Sequence, residues 1–345
     1  MSRDTIRHRL TAALLLAAMA AAVVLIVSSA GGRGSAPTRS VSVATNNRQS
    51  QTAIAAQPQL PPRSFAVGLK AIRLLDPSRT ITLPSGIVEQ RPLLTIVRYP
   101  ALGAGMDIAG APPARADGPF PLIVFGHGYA VTPAPYRRLL QSWTRAGFVV
   151  AAPVFPLGNA HAPGGPDEAD LVNQPADMSF VISRLLAAAA ARTGPLAGLI
   201  DPHELAVAGQ SDGGDTALAV AYDPRFRDSR VDAAVILSGA EIPSEPFAFP
   251  AAGPPLLATQ GTADTINLPS ETDRFFRAAH SPKYLLRLIG AEHLPPYTGE
   301  QPQLGIVERV STAFLDGYLG HRGSSLAQLA TLGTLPGRAS IIAVR

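Results

Sequence analysis

The chain has 345 residues, 46% of them hydrophobic, enough for the core of a large domain and too many for a chain disordered throughout. Its 29 Lys and Arg against 25 Asp and Glu give a net charge of +4, and no basic cluster interleaved with aromatics occurs, which argues against a nucleic-acid partner. Cysteine is absent, so disulfides, thiolate nucleophiles, thiolate-held metals and a lipid-modified cysteine are excluded together.

Arg3, Arg7 and Arg9 precede an apolar run from Leu10 to Val27 that ends in Ser28-Ser29-Ala30, and residues 1–30 therefore read as an export signal. Small residues at Ser28 and Ala30 suit cleavage and release as a secreted protein. The run is also long enough to stay as an N-terminal anchor, so a membrane tether through residues 10–27 competes with secretion. No Arg-Arg pair marks a twin-arginine route. Residues 31–62 are rich in Gly, Ser, Thr, Asn, Gln and Pro and bury too little apolar surface to order themselves; they read as a disordered linker.

Ordered sequence starts near Phe65, and a single domain over residues 63–322 accounts for the patterns that follow. Phe65 to Leu75, Thr80 to Leu83 and Leu93 to Tyr99 read as short strands forming an antiparallel entrance to a sheet. Pro121 to Phe125 is a strand apolar on both faces, ending in Gly126-His127-Gly128-Tyr129. Tyr136, Leu139, Leu140 and Trp143 fall at helical spacing, and Gly147 stops that helix before a buried strand over Phe148 to Val154. Asp177 is the expected N-cap of a helix buried through Met178, Val181, Ile182, Leu185 and Leu186.

Further strands are expected at Leu205 to Ala208, Val231 to Leu237, Leu256 to Thr259 and Tyr284 to Ile289, each with helix between or after. Ser270 and Asp273 are expected to cap the helix carrying Phe275 and Phe276, and Ile306, Val310, Ala313 and Phe314 mark a closing helix that ends at Gly320. Such alternation implies an α/β fold, a mostly parallel central sheet with helices on both faces. The tail over residues 323–345 is too weakly patterned to place.

Chemistry in such a sheet belongs at the carboxyl ends of the strands. There the stretch LAVAGQSDGGDTAL (205–218) carries G-x-S-x-G between a strand and a helix. A serine at that turn is pushed into solvent, with the helix N-terminus aimed at the oxygen that becomes negative during acyl transfer. Ser211 is therefore the candidate nucleophile, and it needs a base.

Of seven histidines, His8 lies in the export signal, His321 lies past the last helix, and His203 and His280 sit at the wrong edge of the sheet. His127 reads as part of the turn beside Gly126 and Gly128. His293 follows the last strand at the right edge and is the candidate base, with His161 its nearest rival. Asp264, after the Leu256 strand, is the candidate acid that orients the histidine, in the chain order Ser, Asp, His; Glu241 is the runner-up. Oxyanion donors are expected from the backbone N–H groups of Tyr129 and Asp212. The Tyr129 ring either lines the acyl pocket or is simply packed.

The runs TIVRYPA, PLIVFGHGYAVTP, DMSFVISRLL, AVAGQSDGG, GTADTINLP and GAEHLPPY resemble the α/β-hydrolases between about Leu93 and Leu319, in the branch that includes dienelactone-hydrolase-like proteins, platelet-activating-factor acetylhydrolases, chlorophyllases and cutinases. The resemblance implies the same roles for Ser211, Asp264, His293, Tyr129 and Asp212. The chain departs from the family at Gln210, where many relatives have His or Trp, and at Asp212, where Met, Leu or Phe-like residues are common. The family's dienelactone hydrolases use a cysteine nucleophile, which this chain lacks.

Only Glu241 to Gly253 follows the Val231 strand where relatives insert a lid, so no lid domain and an open site are expected. The loop from Gly158 to Ala176 should form one rim, and its acids Asp167, Glu168 and Asp170 lack the spacing of a calcium loop. The expectation is thus a serine esterase acting on a small or lipid-like ester with an apolar acyl part, with no cofactor and no metal. An amidase or acyltransferase using the same groups, and a non-catalytic binding protein of the same fold, are the alternatives.

Overall fold

The computed structural model describes residues 64–242, 247–320 and 323–345. The expected export signal or anchor, the linker and His321 lie outside the described residues. Among the described residues no helix is long and apolar enough to cross a membrane.

The chain opens as a long hairpin, β1 (Ala66–Thr82) against β2 (Val88–Ala101), joined at its edge by the two-residue β3 (Ile108–Ala109). The two strands expected between Phe65 and Leu83 are one, because the register slips between Asp76 and Thr80 and pairing then resumes. After it, β4 (Phe120–Gly126), β5 (Val149–Pro153), β6 (Ile200–Gln210), β7 (Ala233–Leu237), β8 (Leu256–Gly261) and β9 (Lys283–Leu288) alternate with helices. The intervening helices are α1 (Arg137–Ala146), α2 (Gln174–Ala190), α3 (Asp212–Tyr222) and α4 (Pro269–Ala278). The chain closes with α5 (Pro295–Thr298), α6 (Gln303–Tyr318), α7 (Gly323–Gly333) and β10 (Ala339–Val344).

The strands lie in the order β10-β9-β8-β7-β6-β4-β5-β2-β1-β3. Pairing is parallel from β5 through β9 and antiparallel at β2 and at β10. The central strands are apolar along their whole length because both faces are covered: every residue of β4, β5, β7 and β8 is buried. One core lies beneath α2, α3 and α4, with Val181, Leu218 and Phe275 at its centre. The other lies beneath α1, α5 and α6, where Trp143 donates its indole N–H to Ser311 Oγ at 2.8 Å.

Helix starts are where the sequence reading goes wrong. Asp177 is not an N-cap: α2 begins at Gln174 with Pro175 in its first turn. The Asp177 carboxylate is buried against Arg91 at 2.6 Å, a tertiary partner that outweighs its local capping preference. Neither Ser270 nor Asp273 caps α4, which starts from Leu268 without a side-chain cap, and Asp273 pairs with Arg287 on the neighbouring strand β9. The stop at Gly147 does appear, with Gly147 in the left-handed region at φ 109°.

Residues 323–345 extend the sheet. β10 pairs antiparallel with β9 from Ala339↔Leu288 to Val344↔Lys283, and α7 packs on the same core as α6. Between β7 and β8 the described residues hold no inserted domain, and Phe249 lies against Tyr222 at the end of α3 with Phe247 packed on Phe249.

Candidate active site

Strand β6 ends at Gln210 and α3 starts at Asp212, so Ser211 alone must turn the chain. It does so at φ 55° and ψ −129°, a conformation that costs an L-residue about 1–3 kcal/mol and persists only when its surroundings enforce it. Two backbone bonds do so: the Ser211 N–H donates to Leu237 C=O at 3.0 Å, and the Ser211 C=O accepts from the Asp215 N–H at 2.9 Å. The flanking glycines are a matter of space. A Cβ on Gly209 would strike the backbone of Gly213, and a Cβ on Gly126 would lie 2.8 Å from Gly213 Cα. Ala130, in the loop after β4, and Ser238, just past β7, also have positive φ, so backbone strain gathers on this edge of the sheet.

Three loops converge on that turn. His293, on the loop after β9, sets Nε2 2.8 Å from Ser211 Oγ and Nδ1 2.8 Å from Asp264 Oδ2. Because the carboxylate can only accept, Nδ1 carries the proton and Nε2 turns its lone pair to the serine hydroxyl. Asp264 Oδ1 accepts from the N–H groups of Ile266 at 2.9 Å and Asn267 at 3.1 Å, and Oδ2 also accepts from Gln260 Nε2 at 3.1 Å. The acid loop and the base loop are stitched together where the Ala263 N–H donates to Ala291 C=O at 3.0 Å. Just beyond the base, the buried Tyr297 hydroxyl lies 2.9 Å from Ser238 Oγ and 3.1 Å from Thr259 Oγ1, tying α5 to the ends of β7 and β8.

The loop after β4 lies directly on the serine. A Cβ on Gly128 would sit 3.1 Å from Ser211 Cβ, so only glycine lets this backbone approach so closely. His127 is its structural pin: the Phe155 N–H donates to His127 Nε2 at 3.0 Å, which leaves the proton on Nδ1, 2.8 Å from Gly128 C=O. Burial holds the His127 imidazole down to about 4, so it stays neutral at physiological pH. Tyr129 follows, its hydroxyl donating to Pro166 C=O at 2.9 Å on the rim loop. The Tyr129 N–H thus starts from a fixed loop beside Ser211, and the Asp212 N–H is the first amide of α3, where a helix has no intrahelical acceptor to offer.

The rim is anchored as well. Arg91 on β2, only 2% exposed, reaches Asp170 of the rim at 2.6 Å and Asp177 of α2 at 2.6 Å. The Asp170 carboxylate is thereby committed to a guanidinium, and Asp167 accepts from the Ala169 N–H at 2.9 Å.

Of the predicted residues, Ser211, His293, Asp264, Asp212 and Tyr129 meet at one edge of the sheet. The others stay apart: Glu241 faces Arg274 at 3.6 Å, and His161, His203 and His280 are exposed. Two buried residues beside the serine, Tyr136 and Gln210, form a hydrogen-bonded pair at 2.7 Å that the sequence reading did not anticipate. Tyr136 read as one more apolar helix position, and Gln210 only as a departure from relatives. A polar residue at the buried end of an otherwise apolar strand was the available signal.

The sheet order, the parallel crossovers and the strained serine turn define an α/β-hydrolase fold. Among solved structures, a ferulic acid esterase from Streptomyces cinnamoneus superposes with a TM-score of 0.58 at 23% identity, covering 78% of this chain and 93% of that one. Residues 108–237 match the family model described as Chlorophyllase, a segment running from β3 through the serine turn to the end of β7. No curated protein sequence matches the chain. The chain thus has the α/β-hydrolase fold, and over residues 108–237 it is similar to the chlorophyllase family.

Proposed function

We propose that the protein is an exported serine esterase that cleaves carboxylic esters with an apolar or lipid-like acyl part through an acyl-enzyme. The observation that carries the reading is the unbroken chain from Ser211 Oγ to His293 Nε2, at 2.8 Å, and from His293 Nδ1 to Asp264 Oδ2, at 2.8 Å, at a serine whose backbone is strained into the turn.

In this reading Ser211 Oγ attacks the ester carbonyl while His293 Nε2 takes its proton, and the imidazolium is stabilised by the Asp264 carboxylate across Nδ1. The carbonyl oxygen, now negative, accepts from the N–H groups of Tyr129 and Asp212, assisted by the positive end of α3. His293 returns the proton to the leaving alcohol, and the same groups activate a water against the acyl-enzyme. Apolar acyl preference is supported by Leu268 on the acid loop, 50% exposed, and by half-buried Leu294 beside the base. Export rests on the basic, then apolar, first 30 residues, whether cleaved or kept as an anchor.

The test is hydrolysis of p-nitrophenyl esters from acetate to palmitate by the purified protein, with Ser211→Ala alongside. Turnover that peaks at one chain length and falls at least a thousandfold in the variant is expected. Wild-type turnover by Ser211→Ala would end the proposal. Turnover of amides, or acyl transfer to added alcohols in preference to water, would redirect it to the amidase or acyltransferase alternative.

A further inference from the structure

Gln210 fills the position before the nucleophile and is 1% exposed. Its side-chain amide touches both halves of the site. Nε2 donates to the His293 backbone C=O at 3.1 Å and lies 3.3 Å from His293 Nε2. Oε1 accepts from the Tyr136 hydroxyl at 2.7 Å, and the same hydroxyl accepts from the Gly128 N–H at 3.3 Å. The direction of every bond is forced. A backbone carbonyl cannot donate, so the amide NH2 must face His293; the Gly128 N–H cannot accept, so the Tyr136 proton must go to Gln210 Oε1. Burial pushes the Tyr136 hydroxyl well above the ordinary tyrosine range, which keeps that proton in place.

We propose that Gln210 is a positioning residue which, with Tyr136, braces the base loop against the loop that carries the oxyanion donor, so that one buried amide sets both distances to Ser211. The proposal rests on the esterase reading above and extends it. Without the brace, the His293 loop keeps Asp264, the Ala263 N–H to Ala291 C=O bond and the contacts of α5 but loses its tie to the end of β6, and Gly128 loses the side chain that satisfies its N–H. Neither group leaves the site, but each gains freedom of the order that costs rate rather than binding, since attack needs the reacting atoms within a few tenths of an ångström of their productive positions. Gln210 also offers a second donor at 3.3 Å to His293 Nε2, the atom that must take up the serine proton. Its loss therefore favours the imidazolium.

Around the imidazole, the titratable groups are Asp264 in direct contact, Tyr136 behind Gln210, Asp212 beside the serine, Tyr297 on α5 with its hydroxyl on Ser238, and exposed Glu292 next in sequence. Replacing Gln210 with methionine keeps length and volume, removes both polar ends of the amide, and among these groups takes a hydrogen-bond partner only from Tyr136, which Tyr136→Phe tests separately.

The experiment compares wild type, Gln210→Met, Tyr136→Phe and the double variant in the full chain. Active sites are counted by fluorophosphonate labelling of Ser211, so that kcat is expressed per titrated serine and unfolded material drops out. Gln210→Met should lose about tenfold to a hundredfold in kcat with KM changed less than threefold, and its acid limb in the kcat/KM profile should move to higher pH. Tyr136→Phe should lose about five- to tenfold, and the double variant should be no slower than Gln210→Met, because both act through one chain of bonds. Multiplicative losses in the double variant, or a Gln210→Met enzyme with unchanged kcat per titrated serine and an unmoved acid limb, would overturn the brace. Failure of the underlying reading looks different: no labelling of wild type, or labelling and turnover that survive Ser211→Ala.

Discussion

Replacing Asp264 by asparagine tests the acid's role at nearly constant volume, and the surrounding bonds dictate how the new side chain must sit. Oδ1 of Asp264 accepts from the two backbone N–H groups of Ile266 and Asn267, so the amide oxygen of asparagine is compelled into that position. Its NH2 then occupies the place of Oδ2, facing two donors, His293 Nδ1–H at 2.8 Å and Gln260 Nε2 at 3.1 Å. Gln260 cannot turn its amide to help, because Nε2 also donates to Gly261 C=O and Asn267 C=O while Oε1 accepts from Thr272 Oγ1 at 2.7 Å.

The imidazole is the group that yields. It moves its proton to Nε2 so that Nδ1 can accept from the new amide, and Nε2–H then points at Ser211 Oγ with no lone pair to receive the serine proton. A base in the wrong tautomer costs about 10³–10⁴ in kcat, or about 4–5.5 kcal/mol of barrier, with KM little changed. The assay is p-nitrophenyl ester hydrolysis per folded protein, checked by circular dichroism and thermal melting. A variant that keeps more than a tenth of the wild-type kcat would show that Asp264 does not orient the base.

Other consequences can be measured separately. Arg91→Met takes away the buried guanidinium that faces Asp170 and Asp177, leaving Asp170 without its ion-pair partner and Asp177 with Arg79 at 2.8 Å, which should destabilise the fold by about 3–5 kcal/mol and lower Tm by roughly 6–12 °C at pH 7.5. With the guanidinium gone, burial, which already raises the Asp177 carboxyl in the folded state, is opposed less, so the deficit should shrink as pH falls from 7 towards 5; a pH-independent deficit would contradict this. His127, neutral and held down to about 4, contributes stability that is complete above its unfolded value near 6.5 and is lost as pH falls between the two. His127→Gln, which can replace both hydrogen bonds without titrating, should therefore flatten the fall in Tm across that window. Gly213→Ala would drive a Cβ into the backbone of Gly126, and soluble protein with normal Ser211 labelling would refute the packing argument; Gly299→Ala, where no atom lies within 4 Å of the added Cβ, is the control.

What could be read in the sequence was whatever depends on neighbours along the chain. Apolar runs such as Phe120–Gly126 and Ala233–Leu237 announce strands covered on both faces, and their alternation with helical spacing leads to a parallel sheet. The serine turn is equally local, since the clash that requires glycine at 209 and 213 arises within one strand-turn-helix unit and the strand beside it. Helix starts were misread because capping preference is weak: a carboxylate such as Asp177 gains more from a buried guanidinium 86 residues away than from its own backbone. The tail had no visible place because β10 is an edge strand whose identity comes from pairing with β9, not from its own pattern.

The site divides along the same line. Ser211 and His293 stood out as residue types at the right edge of a sheet, because a nucleophile and a base are chemical requirements that few positions can meet. Spacing alone left the acid open between Asp264 and Glu241, and only the folded chain sets Asp264 against the imidazole while giving Glu241 to Arg274. The brace through Gln210 and Tyr136 was not legible at all. Its members are 74 residues apart, and a buried amide becomes a hydrogen-bonded link only when the fold brings a phenol, a glycine N–H and a backbone carbonyl to its two ends.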